Sequence, residues 1–161
     1  MKTLKKILRT LGNIQWYAGV ACMAVIVVAV TAGVFSRKIL NAPLSWVEEL
    51  CTLLFIYLAF FGASVAAMNG KHVSADFLTS RFSEQRKKVL HIVQLVIILI
   101  LLALMAVSAV ILAPKMATHS STNLDIPKNI YFIPILFSSV YMFFVYTVEI
   151  IEAVFPPKGD Q

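Results

Sequence analysis

Two carboxylates and an indole stand together at the start of a long apolar run. Glu48 and Glu49 follow Trp46 closely, and the run continues for about 20 residues, the length that crosses a bilayer. Carboxylates in such a place serve general acid–base catalysis, ion binding or contact with a partner. Beyond the run, His72 and Asp76 are spaced i, i+4, which on a helix supplies half of a metal site.

The rest of the chain supplies no catalytic, cofactor or metal constellation around these groups. No third ligand stands near His72 and Asp76, so a surface pair is the better interpretation. His72, His91 and His119 all lie at or near the edges of apolar runs, which argues against bound haem. There is no glycine-rich phosphate loop, no nucleophile–base set and no charged residue at mid-depth in any run. We therefore expect neither an enzyme nor a cofactor.

Composition places the chain in the membrane. Of its 161 residues 60% are hydrophobic and only 14% are charged, whereas a soluble domain carries about 25% charged residues. Apolar runs of membrane length recur at about 14–35, 46–68, 89–113 and 130–155. The predicted fold class is an all-α integral membrane protein, with four transmembrane helices in a single membrane domain spanning 1–161.

The basic residues indicate topology. The net charge is +6, and ten of the fourteen lysines and arginines fall on one side if both termini share that side. The positive-inside rule then places both termini and the loop between helices two and three in the cytoplasm. We interpret the excess as a topology signal with affinity for anionic lipid, and not as a nucleic-acid footprint. The basic start imitates a secretory signal, but the length of the first run and the following Arg37 favour a retained helix.

Local spacing offers structural roles for the two carboxylates. Ser45 and Glu48 fit the Ser-x-x-Glu capping box at a helix start, and Glu49 adds a negative charge to the first turn. Two alternatives stay open for either carboxylate, namely an ion pair with Arg37 or contact with a partner subunit.

Other residues of the first two helices have simpler interpretations. Trp46 is an interface anchor on the outer side, and Tyr57 needs a hydrogen bond to another helix. Asn41-Ala42-Pro43 is a turn signal. Cys22 and Cys51 lie at different membrane depths, so both should be unpaired thiols.

Amphipathic segments are predicted on the cytoplasmic side. Residues 1–10 form a short amphipathic entry, and residues 74–88 an amphipathic helix that lies in the interface between helices two and three. Glu149 and Glu152 share a face near the inner end of helix four, where an ion pair with the basic run 86–88 is the expected arrangement.

The outer loop between helices three and four is polar. Pro114 should end helix three, and Asp125 should cap the start of helix four. The loop over 115–128 suits contact with something outside the membrane, and it suits an ordinary solvated loop equally well.

Taken together these residues resemble a known family, the small membrane subunit, DctQ type, of tripartite ATP-independent periplasmic (TRAP) transporters. The likeness covers essentially the whole chain: its size, four helices and inside termini. It also includes an arginine after helix one, Trp-x-Glu-Glu at the start of helix two, and Gly-x-His a helix length later. In this sequence the motif residues are Arg37, Trp46, Glu48, Glu49, Gly70 and His72, followed by Asp76. Together with Tyr57 they are the candidates for membrane anchoring or for a subunit interface.

The resemblance implies partners and a role. Members of this family pair with a large membrane subunit, DctM type, that holds the substrate and sodium sites and moves as an elevator. A periplasmic substrate-binding protein delivers an organic anion, such as a dicarboxylate or a sialic acid. The small subunit is then a scaffold in the bacterial inner membrane, with lipid around it and an outer surface that helps to dock the binding protein. The alternative from another class is a self-sufficient small oligomeric transporter or channel.

Overall fold

The computed structural model describes the backbone over residues 2–69 and 84–154 and side chains over 5–69 and 89–151. Within these ranges the α-helices are α1 (Lys2–Ile39), α2 (Ser45–Met68), α3 (Glu84–Met116) and α4 (Phe132–Val154), with a 3-10 turn at Lys128–Tyr131. All four helices contain a stretch long and apolar enough to cross a bilayer. The prediction of four membrane helices is confirmed, and the chain is a multi-pass membrane protein.

Two helices are longer than the apolar runs predicted. The amphipathic residues 2–10 continue directly into α1 instead of forming a separate element. Pro114 lies inside α3, which ends two residues later, because a proline disrupts the turn before it and leaves the following residues free to stay helical. Of the predicted interfacial helix, residues 84–88 open α3 and the remainder lies outside the described residues.

The helices pack in the order α1, α2, α4, α3, since α2 contacts both α1 and α4 while α3 contacts α4. One stripe of α1 is shielded, with steps of alternately four and three residues. Its members are Leu8, Gly12, Gln15, Gly19, Cys22, Ile26, Ala29, Gly33 and Ser36. An average step of 3.5 residues is the coiled-coil spacing, which keeps one narrow seam facing a neighbouring helix.

Small residues let α1 approach α2 closely along this seam. A Cβ added to Gly19 would lie 3.8 Å from Leu58 Cδ1, and one added to Gly33 would lie 3.3 Å from Val47 Cγ1. Dispersion contacts replace the hydrophobic driving force between helices in lipid, so such close approach is the main source of attraction. Cys22 on α1 is a free thiol, as predicted, and so is Cys51 on α2.

The helices are connected differently at the two ends of the bundle. We call the end formed by residues 36–49 and 117–131 the loop-bearing end, and that formed by residues 5–12, 67–69 and 146–154 the terminal end. Near the terminal end the Tyr141 hydroxyl donates a hydrogen bond to the Leu8 carbonyl across 3.0 Å, within a cluster of buried apolar residues. The contact ties the start of α1 to the middle of α4.

The connections at the loop-bearing end are short and ordered. After α1 the predicted turn is present, with Asn41 in the left-handed region at φ 52° and the Ser36 hydroxyl donating to the Ala42 carbonyl at 2.6 Å. The prediction that Asp125 caps helix four is wrong. Asp125 has φ 51°, whereas an N-cap residue is extended, and Pro127 precedes the 3-10 turn instead.

Candidate functional site at the loop-bearing end

The carboxylate of Glu49 is surrounded by hydrogen-bond donors from the loop between α3 and α4. Its Oε1 accepts the Thr122 N–H at 3.0 Å, and its Oε2 accepts the N–H groups of Asn123 at 2.9 Å and Leu124 at 3.0 Å. The Ser121 hydroxyl also donates to Oε2. Successive backbone N–H groups that converge in this way form a nest for an anion, and here the anion belongs to the chain itself.

The loop folds back on itself around this carboxylate. Lys128 N–H donates to the His119 carbonyl at 2.8 Å, and Ser121 N–H donates to the Ile126 carbonyl at 2.9 Å. Ser121 is only 6% exposed although it belongs to a polar loop. Residues 119–128 therefore form a small hairpin whose tip closes over Glu49, and the loop is held in one position relative to α2.

Glu48 forms the ion pair with Arg37 that was one of the open alternatives, and not the capping box. The capping box with Ser45 is not formed: Leu44 occupies the N-cap position without a side-chain hydrogen bond, and Ser45 is already helical. The Glu48 carboxylate instead lies 3.2 Å from the Arg37 guanidinium, with the two side chains 77% and 66% exposed. This pair joins the end of α1 to the start of α2, beside Trp46, which is 40% exposed.

Tyr57 forms the cross-helix hydrogen bond that its polar hydroxyl required. The hydroxyl donates to the Ile130 carbonyl at 3.1 Å. Ile130 belongs to the 3-10 turn that leads into α4, so the prediction is confirmed. This bond and the Glu49 contacts therefore hold the segment before α4 against α2 at two positions along α2.

Groups near the terminal end are partly outside the described residues, as are Gly70, His72 and Asp76. Glu149 lies 3.4 Å from His91 Nε2. The side chains of the basic run 86–88, which was predicted to pair with Glu149, are not described. Over the described ranges, no three His, Cys, Asp or Glu side chains gather in one place.

A buried polar layer inside the bundle escaped the sequence reasoning. Gln15 is 1% exposed, and neither its Oε1 nor its Nε2 has a hydrogen-bond partner among the described residues. Ser138 is fully buried and its hydroxyl is likewise unpartnered there. A Cβ on Gly12 would lie 2.6 Å from the Tyr141 hydroxyl. Because α1 and α4 run antiparallel, Gln15 lies one turn from Gly12 and Ser138 one turn from Tyr141, both toward the loop-bearing end. Gln15 and Ser138 therefore lie at the same height along the bundle axis.

The two carboxylates at the start of α2 both have partners within the chain. Both oxygens of Glu49 are occupied by donors of the same chain, and Glu48 is paired at the surface. Sequence reasoning missed the donors over 121–124 because they lie more than 70 residues from Glu49. Two features of the sequence could have indicated this contact. They are the polar run 118–123 and the carboxylate of Glu49, which are predicted at the same end of the bundle.

Comparison with known proteins identifies relatives for most of the chain. The model of the family "Tripartite ATP-independent periplasmic transporters, DctQ component" matches residues 26–155. The chain is 37% identical over 84 residues to the sialic acid TRAP transporter permease protein SiaT of Haemophilus influenzae. It is 31% identical over 84 residues to the sialic acid TRAP transporter small permease protein SiaQ of Vibrio cholerae. It is 38% identical over 45 residues to the C4-dicarboxylate TRAP transporter small permease protein DctQ of Rhodobacter capsulatus.

The matched segments cover only part of each protein. Both 84-residue matches take in 52% of this chain, and they span 14% of SiaT and 49% of SiaQ. The match to the Rhodobacter protein takes in 28% of this chain and 20% of that protein. In SiaT the matched segment is thus a small part of a much longer permease polypeptide.

Proposed function

Because the chain belongs to the DctQ component family of tripartite ATP-independent periplasmic transporters, we propose that it is the small membrane subunit of a binding-protein-dependent, sodium-coupled importer. In this proposal it is a scaffold in the bacterial inner membrane. A larger DctM-type subunit carries the substrate and the sodium ions and moves as an elevator against it. The observation that carries the proposal is the family match over residues 26–155.

The substrate class is an organic anion. The similar proteins are named for sialic acid and for C4-dicarboxylates, which share a carboxylate group. Among the described residues the acidic and basic side chains lie toward the helix ends. A substrate carboxylate crossing the membrane would need a cationic or helix-terminus site at depth. We therefore place the substrate site on the larger subunit.

The length of SiaT supports a tight association between the subunits. A segment similar to this chain occupies 14% of that permease, so in that protein it is covalently joined to a much larger polypeptide. The similar protein SiaQ is named a small permease protein, and the matched segment makes up 49% of it. A separate chain that takes the same place needs a stable noncovalent interface in the membrane.

The loop-bearing end faces the periplasm in this proposal, since the distribution of basic residues favours cytoplasmic termini. The hairpin 119–128, held by Glu49, then presents a surface of fixed shape on that side. Preorganisation lowers the entropic cost of binding. The hairpin is accordingly our candidate for contact with the periplasmic substrate-binding protein.

Reconstitution tests the proposal. The chain is co-expressed with a large membrane subunit of a TRAP transporter from the same organism, and both are placed in liposomes with the binding protein and an inward sodium gradient. We expect uptake of labelled sialic acid or C4-dicarboxylate only when all components are present, and co-purification of the two membrane chains. Sodium-driven uptake by this chain alone would overturn the proposal and favour a self-sufficient small transporter or channel.

A further inference from the structure

One face of α2 is exposed with respect to the described residues of the chain. Its exposed residues are Glu48, Thr52, Phe55, Ala59 and Gly62, again separated by steps of four and three. We call these five residues the α2 stripe. The spacing is that of the seam through which α1 packs against α2, so the stripe has the period of a helix–helix contact.

The neighbours of α2 within the chain lie on its other faces. Val47 packs against Gly33 of α1. Glu49 binds the hairpin 119–128, and Tyr57 reaches the 3-10 turn before α4. None of these contacts involves Thr52, Phe55, Ala59 or Gly62, so the described residues leave this part of the α2 stripe exposed to another molecule.

The composition of the α2 stripe differs from that of a lipid-facing surface. On α3 the strongly exposed residues are almost all large and aliphatic, for example Val93, Ile97, Ile100, Leu104, Val107 and Ile111. In the membrane part of the α2 stripe only Phe55 is large. Small residues on a membrane helix allow another backbone to approach closely, and they mark helix interfaces.

Space for a neighbour is present along the α2 stripe. A Cβ added to Gly62 would meet no atom of the described residues within 4 Å. Near the other end, a cavity of about 300 Å³ lies between α1 and α2 and is lined by residues that include Val34, Glu48 and Cys51. A partner helix at a coiled-coil crossing angle could bring its backbone over Gly62 and place a large side chain in this cavity.

We propose that the α2 stripe is the docking site for a single transmembrane helix of the larger permease subunit. This inference rests on the proposed function, which supplies a membrane partner. The SiaT relative, in which a similar segment is part of a longer permease polypeptide, favours that occupant over lipid. The exposed Arg37–Glu48 pair lies where the partner helix would leave the membrane, and it provides polar contacts at the rim.

Matched leucine substitutions test the proposal. Ala59→Leu and Gly62→Leu add bulk to the α2 stripe, and Ala103→Leu adds the same bulk to an exposed position on α3. We expect the first two to lower the affinity for the large subunit by about tenfold, the scale of a typical overpacked contact. Ala103→Leu should leave the affinity within about twofold of wild type, since lipid accommodates the larger side chain.

Each variant is first purified alone and its thermal unfolding is compared with that of wild type, so that misfolding is recognised separately. Wild-type affinity for the large subunit is the reference: if wild type does not bind, the proposed function fails. If wild type binds and both stripe variants bind equally well, only the docking proposal is overturned.

A second measurement identifies the occupant directly. A photoreactive phenylalanine analogue replaces Phe55 in the assembled complex, and the control carries it at Leu104 on α3. We expect a cross-link to the large subunit from position 55 and none to protein from position 104. Cross-links from position 55 to a second copy of this chain, or to lipid alone, would overturn the proposal.

Discussion

Gly12 is the position where a single added methyl group should have the clearest structural effect. It belongs to the shielded seam of α1 and faces Met68 of α2 and Tyr141 of α4. A Cβ on Gly12 would overlap the Met68 sulfur and lie 2.6 Å from the Tyr141 hydroxyl. Methionine is flexible and can move away, but Tyr141 is 4% exposed and bonded to the Leu8 carbonyl.

Three effects of Gly12→Ala determine the change in the free energy of unfolding, two of them destabilising and one stabilising. Overpacking a fitted site costs about 1–3 kcal/mol. Displacing the Tyr141 hydroxyl loses a buried hydrogen bond worth about 0.5–1.5 kcal/mol. Alanine returns about 1 kcal/mol through its higher helix propensity. We expect Gly12→Ala to lower the free energy of unfolding by about 0.5–3.5 kcal/mol.

The assay is equilibrium unfolding of the isolated chain in mixed micelles. Gly62→Ala is the matched control, because a Cβ there meets no described residue within 4 Å, and the higher helix propensity of alanine should raise stability by up to about 1 kcal/mol. The Tyr141→Phe background removes the hydroxyl, so Gly12→Ala should cost less there. Equal stability of Gly12→Ala and Gly62→Ala would refute the packing described for this end of the bundle.

Three further predictions concern polar side chains. Glu49→Gln removes one acceptor oxygen and adds donors that face the loop, so the amides over 122–124 should exchange hydrogen faster, as measured by mass spectrometry. Unchanged exchange would contradict the hydrogen bonds from these amides to the Glu49 carboxylate. Alanine substitutions at Arg37 and Glu48, combined in a double-mutant cycle, should give a coupling of at most about 1 kcal/mol in unfolding, because the pair is exposed. Gln15→Met should raise the free energy of unfolding by about 1–2 kcal/mol, since it removes a buried amide that has no hydrogen-bond partner among the described residues; a loss of stability would show that Gln15 has a partner.

Helix number, helix placement and several local features could be predicted from the sequence. A membrane span needs about 20 apolar residues, and few other structures meet that demand. The turn after α1 follows from the sequence Asn41-Ala42-Pro43, and the need of Tyr57 for a partner follows from its hydroxyl within an apolar run. These features depend on local chemistry and on the bilayer as solvent, so no knowledge of distant contacts was required.

Helix ends were harder to predict, because competing groups decide them. The Ser45 to Glu48 spacing was sound for a capping box, but the folded chain brings Arg37 within 3.2 Å of the Glu48 carboxylate. Asp125 was plausible as a cap, yet the hairpin around Glu49 places it in a left-handed conformation. Ser45 is already helical and Asp125 is left-handed, so the backbone conformation at each position excludes the local cap.

By itself the sequence determined that this protein is a four-helix membrane protein, with its charged groups toward the helix ends. Only the tertiary structure decided that Glu49 holds the hairpin 119–128, that Gln15 is enclosed, and that the α2 stripe is open. The physical reason is that helical periodicity establishes which residues share a face, whereas the packing of other helices establishes which faces are covered. Glu49 and its donors are more than 70 residues apart, and no periodicity connects them.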